Sequence, residues 1–125
     1  KMNLQQGVFS LADSFKSFSK TATGSLTAVY TVPTANEGAV PPVLPTTTIV
    51  KSIRLSNQSG GAVTTTVSVH DYDASSPLDI ELFKDSLADG AESEVLTQPV
   101  VLEQQDAIKI LGNGVKILVS LMEIT

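Results

Sequence analysis

From Thr46 to the last residue the chain is a succession of short runs in which apolar and polar side chains alternate, cut by turn residues about every ten positions. A period of two places successive side chains on opposite faces of a strand, so such runs cannot settle as helices. In 47–57, Ile53 and Leu55 point one way and Ser52, Arg54 and Ser56 the other, and the run stops at Asn57-Gln58-Ser59-Gly60-Gly61. Residues 62–70 answer it, with Val63, Thr65, Val67 and Val69 on one face, and the two runs read as a hairpin. A third strand begins at Leu78, Ile80 and Leu82, after a turn over 72–77, and Asp89-Gly90 marks the next reversal. Runs over 93–101, interrupted at Pro99, then 106–111 and 115–124 complete the series, the last two joined by Gly112-Asn113-Gly114 as in a tight hairpin. Upstream, 26–33 reads as a strand with Leu26, Ala28, Tyr30 and Val32 on one face, ended by Pro33. Seven or eight strands at this spacing predict an all-β fold, an antiparallel β-sandwich or jelly roll.

The two segments outside this pattern are the candidate contact surfaces. In the first, Val8, Leu11, Phe15 and Phe18 recur at steps of three and four, Phe9 and Ala12 widen the stripe, and Ser10 with Asp13 has the spacing of a capping box. That pattern predicts a short amphipathic helix or an extended arm over residues 1–25, ahead of a sandwich domain over 26–125. Three of the four Phe residues lie in this arm, and a helix so short needs a surface to pack on. The second is the loop 34–45, where Gly38, Pro41, Pro42 and Pro45 exclude a sheet ladder. Val8, Phe9, Leu11, Phe15, Phe18, Pro41 and Pro42 are therefore the expected partner-binding residues. In 115–124, Ile117, Val119 and Leu121 oppose Leu118, Met122 and Ile124, so both faces of the last strand are apolar and its outer side requires a cover.

Charge and composition narrow the function. A net charge of −5 argues against general nucleic-acid binding. Residues 1–60 hold five basic and two acidic side chains, and residues 61–125 three basic and eleven acidic, which makes the molecule polar along its sequence. No apolar run approaches the roughly 20 residues of a membrane helix, and 7–18 lacks the apolar core of a signal peptide, so the chain reads as a soluble protein made in a cytoplasm. Without Cys, thiolate metal sites and disulfides are excluded for this chain. His70-Asp71-Tyr72-Asp73 is the one cluster with chemical potential: Asp71 and Asp73 offer oxygens at a spacing that suits calcium, although the same residues serve a polar turn without a ligand. With a single His, any Ser-His-Asp triad would have to use His70, and no Gly-x-Ser-x-Gly elbow occurs. The expectation is a protein without catalytic residues, cofactor or metal.

Several stretches carry a family resemblance. Tyr30-Thr31-Val32-Pro33, residues 48–57 (Thr-Ile-Val-Lys-Ser-Ile-Arg-Leu-Ser-Asn) and 63–69 (Val-Thr-Thr-Thr-Val-Ser-Val), followed by 91–96, 101–108 and 119–125, resemble small virion structural proteins of tailed bacteriophages, of the marine and cyanobacterial type. The resemblance implies a β-sandwich on the particle: a capsid decoration (cement) protein that oligomerises and binds the major capsid protein or other virion proteins through the arm and the 34–45 loop. It implies localisation in the virion, with no nucleic acid or membrane as partner. A neck, tail or fibre adaptor is the alternative within that class, and a carbohydrate-binding sandwich at a receptor-binding tip the alternative outside it.

Overall fold

A computed structural model of the chain describes residues 13–73 and 78–125, and among them every regular element is a strand. The elements are β1 (Asp13–Thr21), β2 (Thr27–Thr31), β3 (Thr47–Asn57), β4 (Val63–Asp71), β5 (Leu78–Leu87), β6 (Glu92–Glu94), β7 (Val100–Leu102), β8 (Ala107–Leu111) and β9 (Val115–Ile124). One sheet runs β1-β9-β3, with β6 and β7 lying end to end along the far edge of β3; the other runs β2-β8-β4-β5. All pairings are antiparallel. With β6 and β7 counted as one interrupted strand, this is the eight-strand order of a jelly roll. The core between the sheets is aliphatic: Ile53, Leu55, Val67, Leu102, Ile108, Ile110, Ile117 and Val119 are completely buried or nearly so. Each such side chain contributes about 1.5–3 kcal/mol by leaving water.

Three expectations are corrected here. The capping-box spacing of Ser10 and Asp13 does not start a helix through Phe18; the described part of that segment, Asp13–Thr21, is a strand paired with β9 over its whole length. Steps of three and four that combine both faces of a strand mimic a helical stripe when the run is short. The residues before Asp13, including Val8, Phe9 and Leu11, lie outside the described residues. Second, 47–57 and 62–70 do not form a hairpin: β3 pairs β9, β6 and β7, whereas β4 pairs β5 and β8. Third, Gly112-Asn113-Gly114 likewise joins β8 in one sheet to β9 in the other. Both turns are arches that cross the roughly 10 Å between the sheets. The true sequential hairpin is β4–β5. In β2, a bulge between Ala28 and Tyr30 breaks the expected alternation, so Tyr30 and Val32 enter the core while Leu26 and Ala28 stay exposed.

The two arches are held by different means. Asn57 is fully buried at the end of β3; its amide donates to the carbonyls of Gly61 (2.8 Å) and Leu87 (2.7 Å), and its Oδ1 accepts from the Ser59 backbone N–H (3.0 Å) and hydroxyl (2.7 Å). At the other arch Gly114 has a φ of +87°, and a Cβ there would lie 2.9 Å from Ser59 Cβ. Gly114→Ala combines left-handed strain with that clash, and a loss of about 2 kcal/mol is expected, read as a lower urea midpoint at unchanged m.

Candidate docking surface

β1 is fastened to the sandwich by a polar cluster inside it. Glu123, 7% exposed, points inward from β9. Its Oε1 lies 2.7 Å from Lys16 Nζ of β1, and its Oε2 accepts from the Tyr30 hydroxyl of β2 at 2.6 Å. The same hydroxyl lies 2.7 Å from Thr48 Oγ1 of β3. Burial alone would push the Glu123 carboxyl up, but the Lys16 ammonium and the Tyr30 hydroxyl outweigh it and hold the group below its ordinary value. Burial, then the bond to Glu123, push the Tyr30 phenol up, so it stays a donor. Phe18 completes the attachment: it is half-buried, 4.9 Å from the Tyr30 ring between centroids, and packed on the core.

The opposite face of the same sheet is apolar where register aligns it. Phe15 stands opposite Met122, Met122 opposite Ile49, and Ile49 opposite Val101. These four side chains form one row across β1, β9, β3 and β7, about 14 Å from end to end at the spacing of paired strands. Phe15 is 73% exposed and Val101 62%, while Met122 and Ile49 between them are half-buried by their neighbours. Ile124 continues the patch beside Met122, and Leu118 lies four residues before Met122 on the same face of β9. Lys51, the extra residue of a bulge between Val50 and Ser52, places its ammonium 5.7 Å from the Phe15 ring centroid. An exposed apolar row flanked on one side by the paired row Ser17, Ser120 and Ser52 has the make-up of a contact surface.

The predicted contact residues separate. Phe15 lies on the outer row and Phe18 on the inner side of the same strand. Pro41 and Pro42 are exposed on the loop between β2 and β3. That loop is closed by paired backbone bonds between Asn36 and Val43 (2.8 and 2.9 Å) and pinned at its base by Ala35 N–H donating to Gln104 Oε1 (2.9 Å). Its tip carries Val40, 98% exposed. Val40, Ile49 and Val101 are outward-facing apolar residues that sequence reasoning did not single out. The period of two places Ile49 opposite Val50, so its outward direction was legible, but its alignment with Val101 and Phe15 depends on which strands pair.

His70 and the acids around it bond to one another and to the backbone. His70 Nδ1 lies 2.7 Å from Asp79 Oδ1 across the β4–β5 pair, and Lys109 Nζ lies 3.5 Å from the same oxygen. The His70 hydrogen bond, chiefly, holds the Asp79 carboxyl below its ordinary value. Asp71 Oδ1 accepts from the Asp73 backbone N–H at 3.2 Å, a turn contact. Among the described residues no group of three or more His, Cys, Asp or Glu is arranged to hold a metal ion.

No protein-family model matches the chain, and no curated protein matches it. A solved structure does: a chain from Bacillus endospore appendages, described as a novel family of disulfide-linked pili, superposes with a TM-score of 0.52 over 91% of this chain and 87% of that one. The likeness is one of fold. The two chains are 10% identical in sequence.

Proposed function

We propose that the protein is a non-enzymatic structural subunit of a tailed-bacteriophage particle, a decoration protein that lies on the capsid shell through the outer face of the β1-β9-β3-β7 sheet. The observation that carries this reading is the row Phe15, Met122, Ile49 and Val101, which presents apolar side chains to solvent from four adjacent strands. The sequence resemblance supplies the shell as the partner. The fold supports a life in multi-copy assemblies, since the similar chain belongs to pili; with no cysteine, this chain would associate without the disulfides named for that neighbour. The exposed tip at Val40, Pro41 and Pro42 adds a second point of contact. The row alone is smaller than the roughly 800 Å² per partner of a stable interface, so attachment at several points and in several copies raises the effective affinity.

The test is a pair of substitutions at the two ends of the row. Phe15→Asp with Val101→Asp alters side chains that face water, so thermal unfolding should shift little, by less than about 1 kcal/mol. Co-sedimentation with undecorated capsids should fall at least tenfold, since two buried charges without partners oppose docking. Undiminished co-sedimentation of the double variant would remove the face from the account.

A further inference from the structure

The sandwich is open along the flank where β5 ends one sheet and β6 and β7 end the other. β5 is ten residues long, pairs only with β4, and presents its second edge to no other strand among the described residues. Between it and β7 lies a groove of about 470 Å³. Its apolar wall is formed by Val69, Ile80, Leu82 and Val100, and Ile80 is half-exposed within it. Toward the end of the sandwich where β4 finishes, the groove is bordered by acids. Two of these are structural: Asp106 accepts from the backbone N–H groups of Tyr72 and Glu103, and Asp71 accepts from that of Asp73. Asp73 and Glu103 stand exposed at the rim, and no Lys or Arg is among the residues that line the groove.

A free strand edge beside an apolar trough is the geometry of strand addition, in which main-chain bonds supply affinity and alternate side chains enter the trough. The charges decide what enters. β5 carries Asp79, Glu81 and Asp85 against Lys84, so edge-to-edge pairing of two β5 strands would align acid with acid, a standard protection of exposed edges. The rim selects the opposite charge. We infer that this flank receives an extended strand of another protein, one that alternates apolar side chains and carries Lys or Arg where it passes Asp73 and Glu103. The inference does not depend on the capsid as partner, and the surface it uses is distinct from the Phe15 row, apart from Val101 on β7.

A short fluorescein-labelled peptide alternating valine and threonine, with paired lysines at one end, serves as the probe; a second peptide carries glutamates in their place. Anisotropy titrations of the full chain at low salt should show saturable binding of the lysine peptide and about tenfold weaker binding of the glutamate peptide. Asp73→Lys with Glu103→Lys should reverse that order. Ile80→Asp should abolish both while leaving the melting curve in place, because Ile80 already meets water. Hydrogen exchange on the peptide-bound protein should slow at the β5 amides. No anisotropy change with the lysine peptide, equal binding to Ile80→Asp, or binding without protection of β5 would each overturn the inference.

Discussion

Lys16→Met is expected to cost about 2 kcal/mol at neutral pH, and to cost less as the solution is acidified. Removing one partner of a fully buried ion pair costs about 3–5 kcal/mol because the other charge is left in a poor solvent. Here Lys16 is half-exposed while Glu123 is buried, so water reaches one side of the pair and reduces the loss. In the parent protein the folded-state pKa of Glu123 is depressed. The stability it contributes is therefore complete above the carboxyl's ordinary value and is lost as the pH falls through the depressed one. In Lys16→Met the cost of burying the carboxylate is no longer opposed by the ammonium, and protonation relieves it. Urea denaturation from pH 7 to about pH 3 should show the two curves converging. Parallel curves would mean that Lys16 contributes by packing its stem against β9, and the ion pair would lose its place in the account. Tyr30→Phe tests the other side of the carboxylate and should cost about 1–3 kcal/mol, since it leaves Glu123 without its hydroxyl donor and the Thr48 hydroxyl without its acceptor.

Asn57→Ala should be worse, at about 3 kcal/mol, or roughly 10 °C in melting temperature for a domain of this size. The Asn57 side chain is the fastener of the first arch: it satisfies two carbonyls, one from Gly61 beside it and one from Leu87 at the end of β5 in the other sheet. Its backbone adds bonds to Ala91 and from Gly90, which anchor the β5–β6 turn to the same corner. Alanine leaves the Leu87 carbonyl buried without this donor and opens a hole in a corner where three connections meet. Ser59→Ala separates the causes, because it removes the hydroxyl's bonds to Asn57 Oδ1 and to the Gly61 carbonyl, keeps the backbone bond to Oδ1 and the Asn57 bridge to Leu87, and lies at the surface; less than about 1 kcal/mol is expected. Equal losses in the two variants would assign the corner's stability to the turn conformation and not to the bridge between sheets.

Strand faces were legible in the sequence because they depend on nearest neighbours along the chain. Ile53 and Leu55, then Val67 and Val69, then Ile117, Val119 and Leu121 lie inside, and Leu118, Met122 and Ile124 lie on the second face of β9, as the alternation requires. The interruption at Pro99 also holds, with β6 and β7 on either side. Pairing was not legible. Gly60-Gly61 and Gly112-Asn113-Gly114 reverse the chain equally well as a hairpin within one sheet or as an arch between two. The choice is made by distant partners, here β9 lying along the whole of β3. The same limit hid the outer apolar row: Phe15 stands out in the sequence as an aromatic, but Ile49 and Val101 become its neighbours only through register. Phe18 shows the reverse case, an aromatic of the same segment that period two turns inward onto Tyr30. Deleting residues 1–25 would strip β1 from β9, so a test of the N-terminal segment by truncation should stop at residue 12.

The most direct measurement places a photo-crosslinking side chain at Val101, on the outer row, or at Lys84, on the outer side of the opposite sheet, and irradiates each variant on assembled particles. Docking through the outer row would give adducts to the shell from position 101 and few or none from position 84. Adducts from position 84 alone would contradict it, because the molecule would then meet its partner with the other face.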